Sequence, residues 1–241
     1  MKVSIIIPCY NAEKWVRQCI VSALEQDYDS FEVIAIDNES TDSTNDILFE
    51  IKKEYPGLMT GTAPNIYRHS WEEPRGVGLK MCSGDYITFV CSDDYLEKSY
   101  LTSCMKFIMS SPKSILALQS PIRNIRNGIP NEQQGHFYKS VEEFKNLALT
   151  KSPVNTPTVI YNREIYDKGL LESYPEKYYG AADYDLYCRL ADQNIMIYPA
   201  PIWTGYNYRW HDEQCTWGMH REPVNYDNLI QDYWREKWKQ E

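Results

Sequence analysis

Val3-Ser4-Ile5-Ile6-Ile7-Pro8-Cys9-Tyr10-Asn11 is the stretch on which the fold reading turns. A β-branched run begins almost at the first residue and stops at a polar, aromatic tip. Two later runs repeat the pattern: Phe31 to Ile36 stops at Asp37-Asn38-Glu39-Ser40-Thr41-Asp42, and Tyr86 to Val90 stops at Cys91-Ser92-Asp93-Asp94. Short continuous apolar runs of this kind suit strands buried on both faces. Helical patterns lie between them. Glu13 to Gln26 places Trp15, Cys19 and Ala23 on one face, and a second helix carries Ile47, Leu48 and Ile51 before Pro56-Gly57 ends it. The alternation predicts βαβ units around a parallel core. In such a sheet the strand tips meet at the carboxyl edge, where ligands bind.

Further along, Thr60 to Pro74 is polar, with a short strand expected at Ile66 to Arg68. Gly76 to Met81 and Glu97 to Ser110 read as helices. Ile115 to Leu118 and Thr158 to Tyr161 read as strands. Between them, Asn124 to His136 is rich in Gly, Pro, Asn and Gln and reads as a surface loop. Helices are expected at Ser140 to Leu149 and Ala182 to Ala191. The tail from about Asn225 to Lys239 is amphipathic and aromatic. Its stripe of Leu229, Tyr233, Trp234 and Trp238 suits its own domain, a homodimer partner or a membrane surface.

The bulk numbers set outer bounds. A chain of 241 residues with 43% hydrophobic and 24% charged residues has enough material for a full core. Its net charge of −9 and lack of a basic block argue against a nucleic-acid partner. A nucleotide stays compatible, since a divalent metal can supply the missing positive charge. The 7 cysteines include no CxxC pair, and Cys9, Cys82, Cys91 and Cys104 sit in or beside apolar segments. They read as reduced thiols of an intracellular protein. With no leader pattern and no apolar stretch near the ~20 residues of a membrane span, a cytoplasmic protein is expected, in solution or peripheral at a membrane.

Each polar cluster has both a chemical and a purely structural reading. Asp37-Asn38 can contact a base or begin a capping turn. Asp93 and Asp94 can hold a hard divalent cation, or favour the start of the helix near Glu97. Asp183, within Tyr179-Gly180-Ala181-Ala182-Asp183-Tyr184-Asp185-Leu186, can act as a general base or cap its helix. Asp185 lies two residues on and reads as structural. His211, in Tyr208-Arg209-Trp210-His211, can reach a metal or phosphate, or simply pack.

In their order along the chain, from about Val3 to Thr216, these clusters resemble the nucleotide-sugar-dependent glycosyltransferases of family 2. The resemblance implies the GT-A fold: an α/β architecture with a single Rossmann-like, mostly parallel sheet flanked by helices and a mixed acceptor-side half. It divides the chain into a domain at 1–218, with a nucleotide-binding half at 1–96 and an acceptor half at 97–218, followed by a helical tail at 219–241. It implies an inverting transfer from a nucleotide-diphosphate sugar, a UDP-sugar being expected, to a hydroxyl of a glycan or glycoconjugate. Pro8, Tyr10, Asp37, Asn38, Arg75, Ser92, Asp93 and Gly180 would bind the donor. Asp93, Asp94 and His211 would hold Mn²⁺ or Mg²⁺, and Asp183 would be the catalytic base. Three positions depart from the family pattern. Gly76 replaces an Asn after Arg75, Cys91 replaces the first Asp of the Asp-Xaa-Asp motif, and Ala182 replaces the Glu before Asp183. The last two leave open a catalytically silent sugar- or nucleotide-binding module. A sugar nucleotidyltransferase would show a Gly-rich phosphate loop after the first strand, where Pro8-Cys9-Tyr10-Asn11 stands instead.

Overall fold

The β-branched run at the start of the chain becomes the middle of the main sheet because it can bury both faces. The computed structural model describes residues 1–67, 70–219 and 221–239. All seven residues of β1 (Val3–Cys9) are buried. β1 pairs in parallel with β2 (Phe31–Asp37), and β3 (Met59–Thr62) follows in parallel beyond it. On the other side β1 pairs in parallel with β4 (Tyr86–Phe89). The register sets Cys9 opposite Asp37 and Ile6 opposite Phe89, so the three polar tips emerge on one edge. The sheet continues through β9 (Ile160–Asn162), which is antiparallel to both neighbours, to β6 (Ala117–Gln119) and β10 (Ile197–Pro199).

The period of two along β1 divides the core in two. Ile5 and Ile7 pack under α1 (Val16–Leu24), α2 (Thr44–Glu54) and α4 (Tyr100–Ser110). Ile6 faces α3 (Glu72–Met81), α5 (Val141–Ala148), α8 (Ala182–Asp192) and α10 (Tyr226–Trp238). Three short helices complete the set among the described residues: α6 (Arg163–Asp167), α7 (Pro175–Tyr178) and α9 (Cys215–Met219). A smaller second sheet, in the order β5 (Tyr95–Leu96), β11 (Tyr206–Trp210), β7 (Ile122–Arg126), β8 (Ile129–Gln134), walls the carboxyl edge. This is the GT-A architecture that the resemblance implies.

Two expectations need correction, and the alternatives left open for the tail narrow to one. The segment Asn124 to His136 is mostly a hairpin, β7 with β8, and no open loop. Asn127 and Gly128, at φ 51° and 75°, form its left-handed turn, and Asn-Gly is a strong short signal for such a turn. The strand after α2 is β3, earlier than Ile66 to Arg68. Ile66 and Tyr67 are irregular, and Arg68 lies outside the described residues. The tail belongs to the domain: Ile230 and Trp234 are buried in the core. The indole N–H of Trp234 donates to Asp185 at 2.9 Å and that of Trp238 to Asp192 at 3.0 Å. Half of the stripe that suited a membrane or partner is thereby used, while Leu229 and Tyr233 stay exposed. No helix among the described residues is long and apolar enough to cross a membrane.

Gly78 explains how α3 lies so close to the sheet. A Cβ there would meet Ile6 Cγ2 at 2.4 Å, and a β-branched side chain has little freedom to yield. Gly78→Ala is expected to destabilise the fold by about 1–3 kcal/mol through overpacking. Urea unfolding measures this, and an unchanged midpoint would refute the close approach.

Candidate active site

A cleft of about 780 Å³ opens at the carboxyl edge, between the main sheet and the second one. Its volume is in the range of small-molecule sites. The tip of β1 contributes Pro8 and Tyr10, and the tip of β2 contributes Asn38. The turn after β4 contributes Cys91, Ser92 and Asp93. Later parts of the chain contribute Gly180, Asp183 and His211. The parallel register thus brings together most of the residues singled out in the sequence, over more than two hundred positions of chain.

Asp37 and Asn38 divide their work. Asp37 is buried, and one carboxylate oxygen accepts the Ser40 N–H at 3.3 Å. Its Oδ1 has no partner among the described residues. The Asn38 amide, oriented to satisfy its neighbours, donates to the carbonyls of Ala63 at 3.3 Å and Pro64 at 2.9 Å. Two carbonyl acceptors there select an amide over a carboxylate, which accepts only. That accounts locally for Asn at this position.

The acidic turn after β4 is split in the same way. Asp94 is fully buried. Its two oxygens accept the Tyr206 hydroxyl and the Arg209 N–H, each at 2.8 Å. Asp93 instead lines the cleft, with its Oδ2 3.0 Å from His211 Nε2. The His211 ring stacks on Trp15 with centroids 4.0 Å apart, and its buried Nδ1 has no partner among the described residues. Ligand atoms of Cys91, Asp93 and Asp94 lie within 4.8 Å of one another. Burial, with the adjacent Asp94 and Asp93, pushes the Cys91 thiol up and so keeps it protonated. The donor set therefore fits a hard divalent cation: Asp93 is the accessible carboxylate, His211 is beside it, and Asp94 stands behind with its oxygens engaged. The cation's other positions would fall to phosphate oxygens and water.

Asp183 stands in the first turn of α8, directly after Ala182. The N-cap position belongs to Ala181, so Asp183 is not the cap. Its Oδ2 accepts the Thr156 hydroxyl at 2.7 Å. Burial pushes its carboxyl up to about 6, with the Thr156 hydrogen bond opposing and the charge of Glu72 adding. Such a carboxylate suits general-base work near neutrality. Asp185 is structural as expected, held by Arg189 and Trp234.

Arg75 corrects the sequence reading. Its guanidinium is buried, pairs with Glu72 at 2.8 Å and donates to the Leu171 carbonyl at 2.9 Å. It lies 4.8 Å from the Phe89 ring centroid and does not line the cleft. The helix α3 extends N-terminally to Glu72, which puts the partner carboxylate three residues before Arg75 on the same face. Sequence reasoning gave no role to Thr156, or to Trp210 and Trp217, which also line the cleft. For Thr156 no spacing signal exists, because its partner is 27 residues away.

A nucleotide-sized cleft over the carboxyl ends of β1, β2 and β4, lined by Asp93 and Asp183, is the architecture of GT-A transferases. The chain belongs to glycosyl transferase family 2, whose profile matches residues 4–170. It is 29% identical over 193 residues to the poly(ribitol-phosphate) β-N-acetylglucosaminyltransferase TarS of Staphylococcus aureus, covering 76% of this chain and 31% of that protein. It is 34% identical over 117 residues to a poly(ribitol-phosphate) β-glucosyltransferase of Bacillus spizizenii, covering 48% of this chain and 18% of the relative. The chain thus spans a third or less of these curated relatives. In structure it is similar to TarS residues 1–349 in complex with UDP-GlcNAc, with a TM-score of 0.73 at 24% identity, over 93% of this chain and 62% of that one. A mannosyltransferase of Pyrobaculum calidifontis, in complex with GDP-Man and Mn²⁺, matches with a TM-score of 0.62 at 16% identity, over 96% and 68% of the two chains.

Breaking the buried Glu72–Arg75 pair leaves an uncompensated charge. Arg75→Ala is expected to destabilise the protein by about 3–5 kcal/mol while a folded fraction keeps its nucleotide affinity. Denaturant titration with calorimetry on the same variant tests both parts; weakened nucleotide binding at unchanged stability would return Arg75 to the site.

Proposed function

We propose that this chain is an inverting glycosyltransferase acting on a nucleotide-diphosphate sugar, with a UDP-sugar as donor and a hydroxyl of a glycan or glycoconjugate as acceptor. The observation that carries this reading is that Asp93 and Asp183 line one cleft at the sheet's carboxyl edge. Asp93 and His211 would hold a divalent cation, Mn²⁺ or Mg²⁺, which would supply positive charge to the departing diphosphate. Pro8, Tyr10 and Asn38 take the nucleoside, while Asp37, expected among them, is buried behind the cleft's lining. Gly180 and Ser92 line the space between.

Asp183 removes the acceptor proton. The acceptor oxygen bonds to the anomeric carbon as the bond from that carbon to the phosphate oxygen breaks. The electron pair leaves with the nucleoside diphosphate, and the anomeric configuration inverts. One carboxylate is enough, since a single displacement forms no glycosyl-enzyme. Ala182 and Cys91 do not bar this chemistry: neither position supplies the base, and Asp93 keeps its cleft-facing carboxylate.

Two results test the assignments. Asp93→Ala is expected to abolish the Mn²⁺-dependent part of UDP binding in calorimetry; UDP affinity that stays metal-dependent would remove Asp93 from the site. Asp183→Asn is expected to lower transfer by ~10²–10⁴ while UDP binding persists. NMR should show product of inverted configuration from the wild type. With an Asp183 pKa of about 6, the wild-type rate should fall as pH drops through about 6, because the base must be ionised. The stability sign runs the other way. A carboxyl raised on folding contributes stability below its unfolded pKa, and that contribution is lost as pH rises through about 6. Asp183→Asn should therefore not lower the melting temperature at pH 7.5. A retained configuration, or near-normal turnover in Asp183→Asn, would overturn the mechanism.

A further inference from the structure

Behind Asp183 lies a buried polar network to which the proposed chemistry gives no task. The 3₁₀ turn Thr156–Thr158 sits on it. Gln119 accepts the Asn155 N–H at 3.0 Å and donates to the Pro153 carbonyl at 2.9 Å. The Asn155 amide donates to the carbonyls of Ser120 and Gln134, both at 3.0 Å. The Thr158 hydroxyl accepts the Ser120 N–H at 3.1 Å and lies 3.0 Å from the Ser120 carbonyl. Gln119, Ser120, Asn155 and Thr158 are all buried. Burying so many polar groups is unfavourable unless every one is satisfied, and a satisfied network fixes one geometry. What it fixes here is the turn's edge of the cleft, where Thr156 stands beside Asn155 and Pro157. Thr156 lines the cleft and donates to Asp183 Oδ2 at 2.7 Å.

We propose that Thr156 is a positioning residue for the reaction: its hydroxyl, held by the Gln119–Asn155–Thr158 network, clamps one oxygen of Asp183 so that the other meets the acceptor hydroxyl. The inference rests on the reading of Asp183 as the base. The clamp also tunes that base. Glu72 on α3 and Asp227 on α10 face Asp183 with negative charge, while Tyr161 on β9 and Tyr187 on α8 lie close to it. Burial and the two carboxylates raise the Asp183 carboxyl, and the Thr156 hydrogen bond holds it down at about 6. A hydroxyl donor stabilises the ionised form alone, so its loss moves the titration upward.

The test uses Thr156→Val, near-isosteric without the donor, and Thr156→Ser, which keeps the donor. A ¹³C-carboxyl titration of metal-free protein reads the carboxyl directly, with its signal assigned by its loss in Asp183→Asn. Thr156→Val should move the midpoint up by about one unit or more, and Thr156→Ser should restore it. In Mn²⁺-dependent hydrolysis of UDP-glucose or UDP-N-acetylglucosamine, where water replaces the acceptor, Thr156→Val should lower kcat about 10-fold to 100-fold. The acid limb should shift upward, with KM for the donor unchanged. Thr156→Ala serves if the valine variant does not fold. An unmoved midpoint in Thr156→Val, or equal behaviour of the valine and serine variants, overturns the clamp. Hydrolysis that survives Asp183→Asn overturns the base assignment instead, whatever the titration shows.

Discussion

The buried carboxylate of Asp94 is the joint on which the cleft depends. It sits just beyond β4 and binds two groups of β11, the Tyr206 hydroxyl and the Arg209 N–H. Tyr206 also accepts the Cys91 N–H at 3.2 Å, so the turn and the strand are tied twice. The main sheet is thereby joined to the second sheet, and the tie sets where β11 ends. His211 follows β11 directly and lands 3.0 Å from Asp93. Gln214 braces the same corner by donating to the Arg209 carbonyl at 2.7 Å, and the Trp217 indole N–H donates to the His211 carbonyl at 3.0 Å. A buried carboxylate without these partners would be strongly unfavourable. With them, it locates Asp93 and His211, the two groups proposed to hold the cation.

The charge balance of the cleft gives the cation its physical necessity in the proposed reaction. The protein carries −9 overall, and Asp93, Asp183 and Asp227 all line the cleft. The nearby guanidinium of Arg209 is committed to the Asp93 carbonyl and to Gln18, and that of Arg75 is buried against Glu72. A nucleoside diphosphate approaching such a surface meets like charge at short range. A divalent ion at Asp93 reverses the local sign, whereas a surface lysine several ångströms away would be screened.

Much of the fold was legible because its signals are local. The runs Val3 to Ile7, Phe31 to Ile36 and Tyr86 to Val90 carry their burial in composition, and each became a strand near its expected bounds. The tips followed from parallel pairing, which is why Asn38 and Asp93 could be sent to one edge from the sequence, whereas Asp183, on α8, was placed by the family resemblance alone. What remained hidden depends on partners far along the chain. Asp93 and Asp94 are chemically identical neighbours, and only the pairing with Tyr206, 112 residues on, decides which of them turns inward. Arg75 looked free for a phosphate because nothing in the sequence placed Glu72 on the same helix turn until α3 was found to begin there. The hairpin of β7 and β8 was the avoidable miss: Asn127-Gly128 is a turn signal, but polar β8, exposed along its length, shows none of the alternation that marks a half-buried strand.

The departure at Ala182 also follows from packing. Ala182 is 1% exposed, within the core that holds Tyr184, Leu186 and Tyr187. A Glu with its side chain in that apolar surrounding would bury a second carboxylate next to Asp183. Burial together with the charge of Glu72 already pushes Asp183 up to about 6. Another negative charge at the adjacent residue would raise it further and leave less of the base ionised at neutral pH. Glu72 already supplies a buried carboxylate to this region, and it arrives with its own counter-charge, Arg75, at 2.8 Å. A paired acid perturbs its neighbour far less than an unpaired one. In this chain the small apolar residue at 182 and the ion pair on α3 therefore work toward one end, a single carboxylate poised near neutrality.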